Sequence, residues 1–146
     1  MKVYTSEPMH TAEHILNQTM VRMYGCKRSM NAHIERRKSK CDYWLNQAPT
    51  EAEIASLEEQ VNAVIDAGMP VTERFVSLAE AANLVDLSKL PEGAGDSIRL
   101  IAVGDYDLCA CSGPHVDNTA EIGRFSVLSH DYEDGRWRLR WKVTPA

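Results

Sequence analysis

Arg136-Trp137-Arg138-Leu139-Arg140-Trp141-Lys142-Val143 alternates cation and apolar residue without a break. A period of two sends successive side chains to opposite faces of a strand. One face of this segment is therefore aromatic and aliphatic; the other carries Arg136, Arg138, Arg140 and Lys142. The pattern fits an antiparallel strand with one face on a core. The cationic face has two readings: a solvated surface, or a row of phosphate-binding side chains beside an active site.

Asp134-Gly135, just upstream, is a hairpin turn signal, so Arg124 to Ser129 becomes the partner strand. Ile98 to Val103 and Tyr106 to Cys111 read as a second hairpin, turning at Gly104-Asp105. Residues 70–77 read as a strand, a short helix is expected near 77–85, and Pro91-Glu92-Gly93-Ala94-Gly95 is a loop. Strand-like stretches lie near 29–36 and 39–46. Two amphipathic helices complete the pattern. The first starts at Ser6-Glu7-Pro8, buries Ala12, Ile15, Leu16, Met20 and Met23, and ends at Gly25. The second starts at a Thr50/Glu53 capping box, buries Ile54, Leu57, Val61, Val64 and Ile65, and stops at Gly68. This order predicts an α+β fold, an antiparallel sheet packed with helices, with residues 1–146 as one domain.

The composition, 44% hydrophobic and 25% charged, is that of a globular protein. No run approaches the roughly 20 apolar residues of a membrane span. Met1-Lys2-Val3-Tyr4 is not followed by a signal-peptide core. Cys26, Cys41, Cys109 and Cys111 lack the spacing of a disulfide framework, so reduced thiols and a cytoplasmic location are expected. The net charge of -5 argues against a generic nucleic-acid binder. Its distribution is uneven: residues 1–40 sum to +5, 41–121 to -12 and 122–146 to +2. A basic face forms if the two ends meet; otherwise basic and acidic solvated faces simply alternate.

Two short segments carry the chemistry. In His10-Thr11-Ala12-Glu13-His14 the histidines stand at i and i+4, which on a helix puts the imidazoles on one face, roughly 6 Å apart. In Cys111-Ser112-Gly113-Pro114-His115 a tight turn lets thiolate and imidazole face one point. Together His10, His14, Cys111 and His115 make a borderline-soft set that suits Zn²⁺ better than Mg²⁺ or Ca²⁺. Cys109, two residues before Cys111, is a candidate substitute ligand. Glu13 is a candidate general base, although it lies about 100° around the helix from His14.

The first segment resembles the His-Thr-Ala-x-His-Leu-Leu signature of the editing domain of alanyl-tRNA synthetases and of AlaX-type trans-editing proteins. Cys111-Ser112-Gly113-Pro114-His115-Val116, followed by Asn118-Thr119-Ala120-Glu121-Ile122-Gly123-Arg124-Phe125, is similar to that family's Cys-Gly-Gly-Thr-His-Val and Thr-Gly-Glu-Ile-Gly-x-Phe. Lys38-Ser39-Lys40-Cys41-Asp42-Tyr43 is similar to a segment ending in Asp-Phe. Ser112 and Pro114 depart from the family's Gly and Thr, and Pro114 removes a backbone donor and a hydroxyl.

The resemblance implies a stand-alone editing domain of the second-additional-domain type. It implies ATP-independent hydrolysis of mischarged tRNA(Ala), chiefly Ser-tRNA(Ala), with Gly-tRNA(Ala) as a second substrate. One Zn²⁺ per chain would sit on His10, His14, Cys111 and His115. Thr11 would contact the substrate serine hydroxyl, and Arg36, Arg37, Lys38, Arg136, Arg138 and Arg140 are the candidate tRNA contacts. An aminoacyl ester is activated, so a metal that acidifies water and polarises the carbonyl is sufficient chemistry. Three alternatives stand beside this reading: a zinc-stabilised tRNA-binding module without catalysis, editing of Ser-tRNA(Thr), and the inverted zinc-protease pattern His-x-x-Glu-His with Glu13 as base.

Overall fold

The computed structural model describes residues 6–29, 31–85 and 97–145. Met1 to Tyr4 and the expected loop at Pro91 to Gly95 lie outside them. Helix α1 (Glu7–Tyr24) begins where Ser6 Oγ accepts the Met9 N–H at 3.3 Å. It ends at Gly25, whose φ of +66° is a left-handed position that favours glycine. Strands β1 (Asn31–His33) and β2 (Ser39–Trp44) are shorter than the stretches expected for them. Helix α2 (Glu51–Asp66) carries the reciprocal Thr50/Glu53 capping box. Strand β3 (Val71–Ser77) and the short helix α3 (Leu78–Leu84) follow, then β4 (Ser97–Val103) and β5 (Asp107–Ala110). Strand β6 (Arg124–Glu133) runs four residues past the expected end at Ser129 before turning into β7 (Arg136–Thr144).

The fold is α+β, with two antiparallel sheets among the described residues where one was expected. The first has the order β1-β2-β7-β6 and the second β3-β4-β5. Strand β7 is flanked on both edges, by β2 and by β6, and β3, β4 and β5 pair with one another instead. The alternation of β7 sets the layering. Trp137, Leu139 and Trp141 are fully buried and share a core with Ala12, Ile15, Leu16 and Met20 of α1 and Leu57 and Val61 of α2. Burial of each such side chain stabilises the fold by about 1.5–3 kcal/mol. Arg136, Arg138 and Arg140 therefore lie on the face of this sheet that turns away from the helices.

Helix α1 has a second face toward the other sheet. His10, His14, Gln18 and Arg22 recur every four residues along it. Gln18 Nε2 donates to Asp107 at 2.9 Å, and Arg22 Nη2 to the Tyr106 carbonyl at 2.9 Å. The Arg22 guanidinium also lies 4.1 Å from the centre of the Tyr106 ring. The β4–β5 turn is held tightly: a Cβ at Gly104 would meet Met69 at 3.0 Å, at a φ of +50°. These contacts dock β5 along α1 and bring the turn after β5 opposite His10 and His14.

Candidate metal centre

Helical spacing presents His10 and His14 toward β5, with ring centres 5.0 Å apart. From the opposite side Cys111 and His115 arrive on the turn that follows β5. His10 Nε2 lies 3.2 Å from Cys111 Sγ, and the His115 ring stacks on His10 at 4.0 Å. One donor atom from each of His10, His14, Cys111 and His115 falls within 4.8 Å of all the others. A tetrahedral zinc with bonds of about 2.0–2.3 Å separates its ligands by about 3.3–3.6 Å, so modest side-chain closure completes the geometry. The four predicted ligands are thus brought together.

The imidazoles are oriented from outside the cluster. The Pro114 carbonyl accepts from His10 Nδ1 at 2.8 Å, which leaves Nε2 facing Cys111. Pro114 lacks an N–H, yet its carbonyl supplies the contact the site uses. His115 Nδ1 lies 2.9 Å from Thr11 Oγ1. His115 Nε2 is buried and has no hydrogen-bond partner. A buried nitrogen left over among three other soft donors fits a metal ligand. The turn is held from β4: Arg99 Nη1 donates to the Cys111 carbonyl at 3.0 Å and the Gly113 carbonyl at 2.8 Å, while its Nε pairs with Glu73.

The electrostatics match a cation site. Burial pushes the Cys111 thiol up, but the neighbouring imidazoles of His10, His115 and His14 overcome this and bring it down to about 3. Burial, with His14 and His10 beside it, brings His115 down to about 4. Burial also opposes the charge on His14, yet Cys109, Asp107 and Cys111 together raise it well above the ordinary histidine value. The cluster thus pairs a thiolate with an imidazolium. A metal ion would displace the His14 proton and take its place against the thiolate.

Sequence reasoning missed Asp107. Its Oδ1 accepts from Arg28 at 2.6 Å and from Gln18, and its Oδ2 from Arg28 at 3.1 Å, while Oδ2 stands 3.6 Å from His14 Nδ1. Burial pushes its carboxyl up, but His14 and the Arg28 guanidinium overcome this and hold it far below the usual carboxylate range. Asp107 and Cys109 share one face of β5 and Cys111 follows at the same spacing, a period-two signal that could have found it. Cys109 Sγ lies 3.3 Å from His14 Nδ1, and His14, Asp107 and Cys109 form a second group of close donors. The bidentate Arg28 commits Asp107 to a salt bridge and leaves Cys109 beside the cluster as its spare thiol.

Other predicted residues fall elsewhere. The Glu13 carboxylate acts on Cys41 and Tyr43 of β2 and adds to the upward shift that burial imposes on both. Glu13 thus faces β2, and it is not a member of the four-donor group. The protease pattern needs this carboxylate beside the metal, so the placement counts against that reading. Thr11 is fully buried. Arg36, Arg37 and Lys38 are exposed between β1 and β2. On β7, Arg138 grips Asp42 through Nε at 2.8 Å and Nη2 at 2.9 Å, and Arg140 pairs with Asp131 at 3.0 Å. Arg136 lies 3.9 Å from both Asp131 and Glu133. The cationic face is thus largely an ion-paired one. His33 pairs with Glu35 on the surface, and the Trp137 indole N–H donates to His130 at 3.4 Å.

Fold and site together define an α+β domain with a partly buried three-histidine, one-cysteine donor set between a helix and a strand turn. Residues 98–140 match the family model described as the threonyl and alanyl tRNA synthetase second additional domain. The chain is 35% identical over 121 residues to the alanine–tRNA ligase of Fervidobacterium nodosum, and 34% identical over 121 residues to that of Bacillus subtilis. Each alignment covers 82% of this chain but only 14% of the ligase. The chain is therefore related to alanyl-tRNA synthetases through a region that includes their second additional domain, and it spans about one seventh of the length of these curated relatives. Among the described residues no helix is long and apolar enough to cross a membrane.

Proposed function

We propose that this chain is an aminoacyl-tRNA hydrolase that clears mischarged tRNA(Ala) in the cytoplasm, with residues 1–146 acting as one editing domain. Ser-tRNA(Ala) is the proposed substrate and Gly-tRNA(Ala) the second. The observation that carries the reading is the convergence of His10, His14, Cys111 and His115 in a chain related to alanine–tRNA ligases. The four side chains would hold one Zn²⁺. That ion would supply Lewis acidity to the ester carbonyl and to water. The protein's own part is orientation: Pro114 aims His10, Arg99 braces the turn that carries Cys111, and the fold buries His10 and His14 while leaving Cys111 and His115 half-buried. Arg36, Arg37 and Lys38, exposed beyond β1, are the proposed contacts to tRNA phosphates. Arg136, Arg138 and Arg140 would contribute only where RNA phosphates compete with their carboxylate partners.

Two further outcomes have support. Four protein ligands close a tetrahedral zinc shell, which favours a structural role and a non-catalytic tRNA-binding module. The matched family also includes threonyl-tRNA synthetases, which brings in Ser-tRNA(Thr). The deciding experiment offers zinc-loaded protein Ser-tRNA(Ala), Gly-tRNA(Ala), Ser-tRNA(Thr) and Ala-tRNA(Ala) in turn. Preferential deacylation of Ser-tRNA(Ala) is expected. Binding without hydrolysis of any substrate would identify the module, and preference for Ser-tRNA(Thr) the threonine system.

A further inference from the structure

The sheet that carries Cys111 to the metal centre also carries an aromatic ring that the fold leaves in water. Phe75 on β3 is the most exposed large apolar side chain among the described residues, at 62%. Phe75 stands opposite Arg99 on β4, and the Cys111 N–H donates to the Arg99 carbonyl at 3.2 Å. Phe75, Arg99 and Cys111 therefore form one row across the second sheet. Residues directly opposite in an antiparallel pair point to the same face. That face meets the metal centre: Cys109 shares it, and Arg99 reaches along it to the Cys111 and Gly113 carbonyls. The other face is occupied, with Val76, Ile98 and Leu100 packed on Ala81 of α3.

His10 and His14 are buried, whereas Cys111 and His115 are half-buried, so the cluster is reached from the strand-turn side. Neighbouring strands lie about 4.8 Å apart, which puts the Phe75 and Cys111 backbones about 10 Å from each other. In an aminoacyl-RNA the terminal base hangs about five bonds of about 1.5 Å from the ester carbonyl carbon. With the ester at the cluster, that base falls within reach of the Phe75 ring. One ring matches one base. It offers far less than the roughly 1,200 Å² that a stable protein partner buries. Glu73 and Arg74, exposed beside it, also discourage this sheet edge from pairing with another strand. We propose that Phe75 is the stacking platform for the terminal nucleobase of the aminoacyl-RNA, with the ester lying across Arg99 toward the metal centre. The proposal rests on the editing reading above. Stacking on an aromatic face tolerates any base, so the ring positions the ester and does not select the amino acid.

The probe is 3′-seryl-amino-3′-deoxyadenosine, whose amide replaces the labile ester, titrated into zinc-loaded protein by calorimetry. Phe75→Ala should bind it about 5–150-fold more weakly, the range for loss of one base–aromatic stack. Phe75→Tyr, which keeps the ring, should match wild type. Trp44→Ala should also match wild type: Trp44 is 60% exposed but lies on the face of the first sheet that turns away from the helices. Unchanged affinity in Phe75→Ala, or no binding of the probe by wild type, would overturn the proposal. Phe75→Trp supplies a second readout. Its added emission should be quenched by the probe, and an unquenched signal would overturn the proposal even where Phe75→Ala does not fold. A wild-type dimer that Phe75→Ala converts to monomer, with probe affinity unchanged, would assign the ring to a contact between copies of this chain and likewise overturn it. Hydrolysis of Ser-tRNA(Ala) is scored separately. Its absence in wild type with Phe75-dependent probe binding sinks the editing reading and leaves the platform; hydrolysis without Phe75-dependent binding does the reverse.

Discussion

Cys111 Sγ and His10 Nε2 lie 3.2 Å apart although 101 residues separate them in the chain. The contact exists because a helix face and a strand turn are docked on each other, and it stabilises the thiolate that a soft metal requires. Cys111→Ser exchanges that thiolate for a poor zinc ligand. Zinc affinity should fall by at least about 100-fold, since loss of a direct ligand exceeds the loss of an outer partner. Chelator competition measures this, and wild-type affinity in the variant would remove Cys111 from the shell. His14→Ala should lose zinc and deacylation together; hydrolysis retained by a metal-free variant would exclude a metal mechanism.

The Arg28–Asp107 pair supports His14 from behind. Removal of one partner leaves the other buried without compensation, a loss of about 3–5 kcal/mol at a fully buried site. A quarter of the Arg28 side chain still meets water. Arg28→Met should therefore cost about 2–3 kcal/mol in urea unfolding. The double variant Arg28→Met/Asp107→Leu should recover much of the loss, and an additive result would show that the two do not interact.

Asp42 supplies a pH test away from the metal centre. Hydrogen bonds from Arg138, then Asn31, hold its carboxyl below the ordinary value against the effect of burial. A lowered folded-state pKa contributes stability that is fully present above the unfolded value, about 3.9, and is lost as pH falls through the folded value. The stability gap between wild type and Asp42→Asn should be constant from about pH 7 to pH 5 and shrink below about pH 4. Denaturant titrations across that range measure it, and a gap that widens in acid would contradict the ion pair.

The ion pairs on β7 change what its arginines can be expected to do. Arg36, Arg37 and Lys38 are exposed, whereas Arg138 is held bidentate by Asp42. Replacement of all three loop cations by alanine should weaken tRNA binding. It should also reduce the slope of log K against log salt by about 0.7–0.9 for each phosphate that is no longer neutralised. Arg138→Ala should lower the thermal midpoint more than it lowers tRNA affinity. The reverse ranking, in filter binding over a salt series, would return β7 to the role of phosphate-binding strand.

Much of this molecule is legible in local sequence. The caps at Ser6 and Thr50, the period of β7 and the two Cys/His pairs are short-range signals, and each lies where the structure has it. What was not legible depends on contacts across the chain. Division into two sheets follows from β2 and β6 both pairing with β7, which no local period encodes. Asp42 and Asp131 neutralise the arginines of β7 from neighbouring strands, so the strand read alone looked fully cationic. Asp107 is one acid among many in a segment of strongly negative charge, and its distances to Arg28 and His14 identify its role. The contact between Thr11 and His115, 104 residues apart, likewise exists only through the fold.

The central claim is that the cluster hydrolyses an aminoacyl ester through a metal held one per chain. The most direct measurement strips the protein with a chelator, then follows Ser-tRNA(Ala) deacylation as zinc is titrated back. Activity should be absent in the metal-free protein, rise linearly, and reach its plateau at one zinc per chain. Full activity in the metal-free protein, or none at one bound zinc, would contradict it.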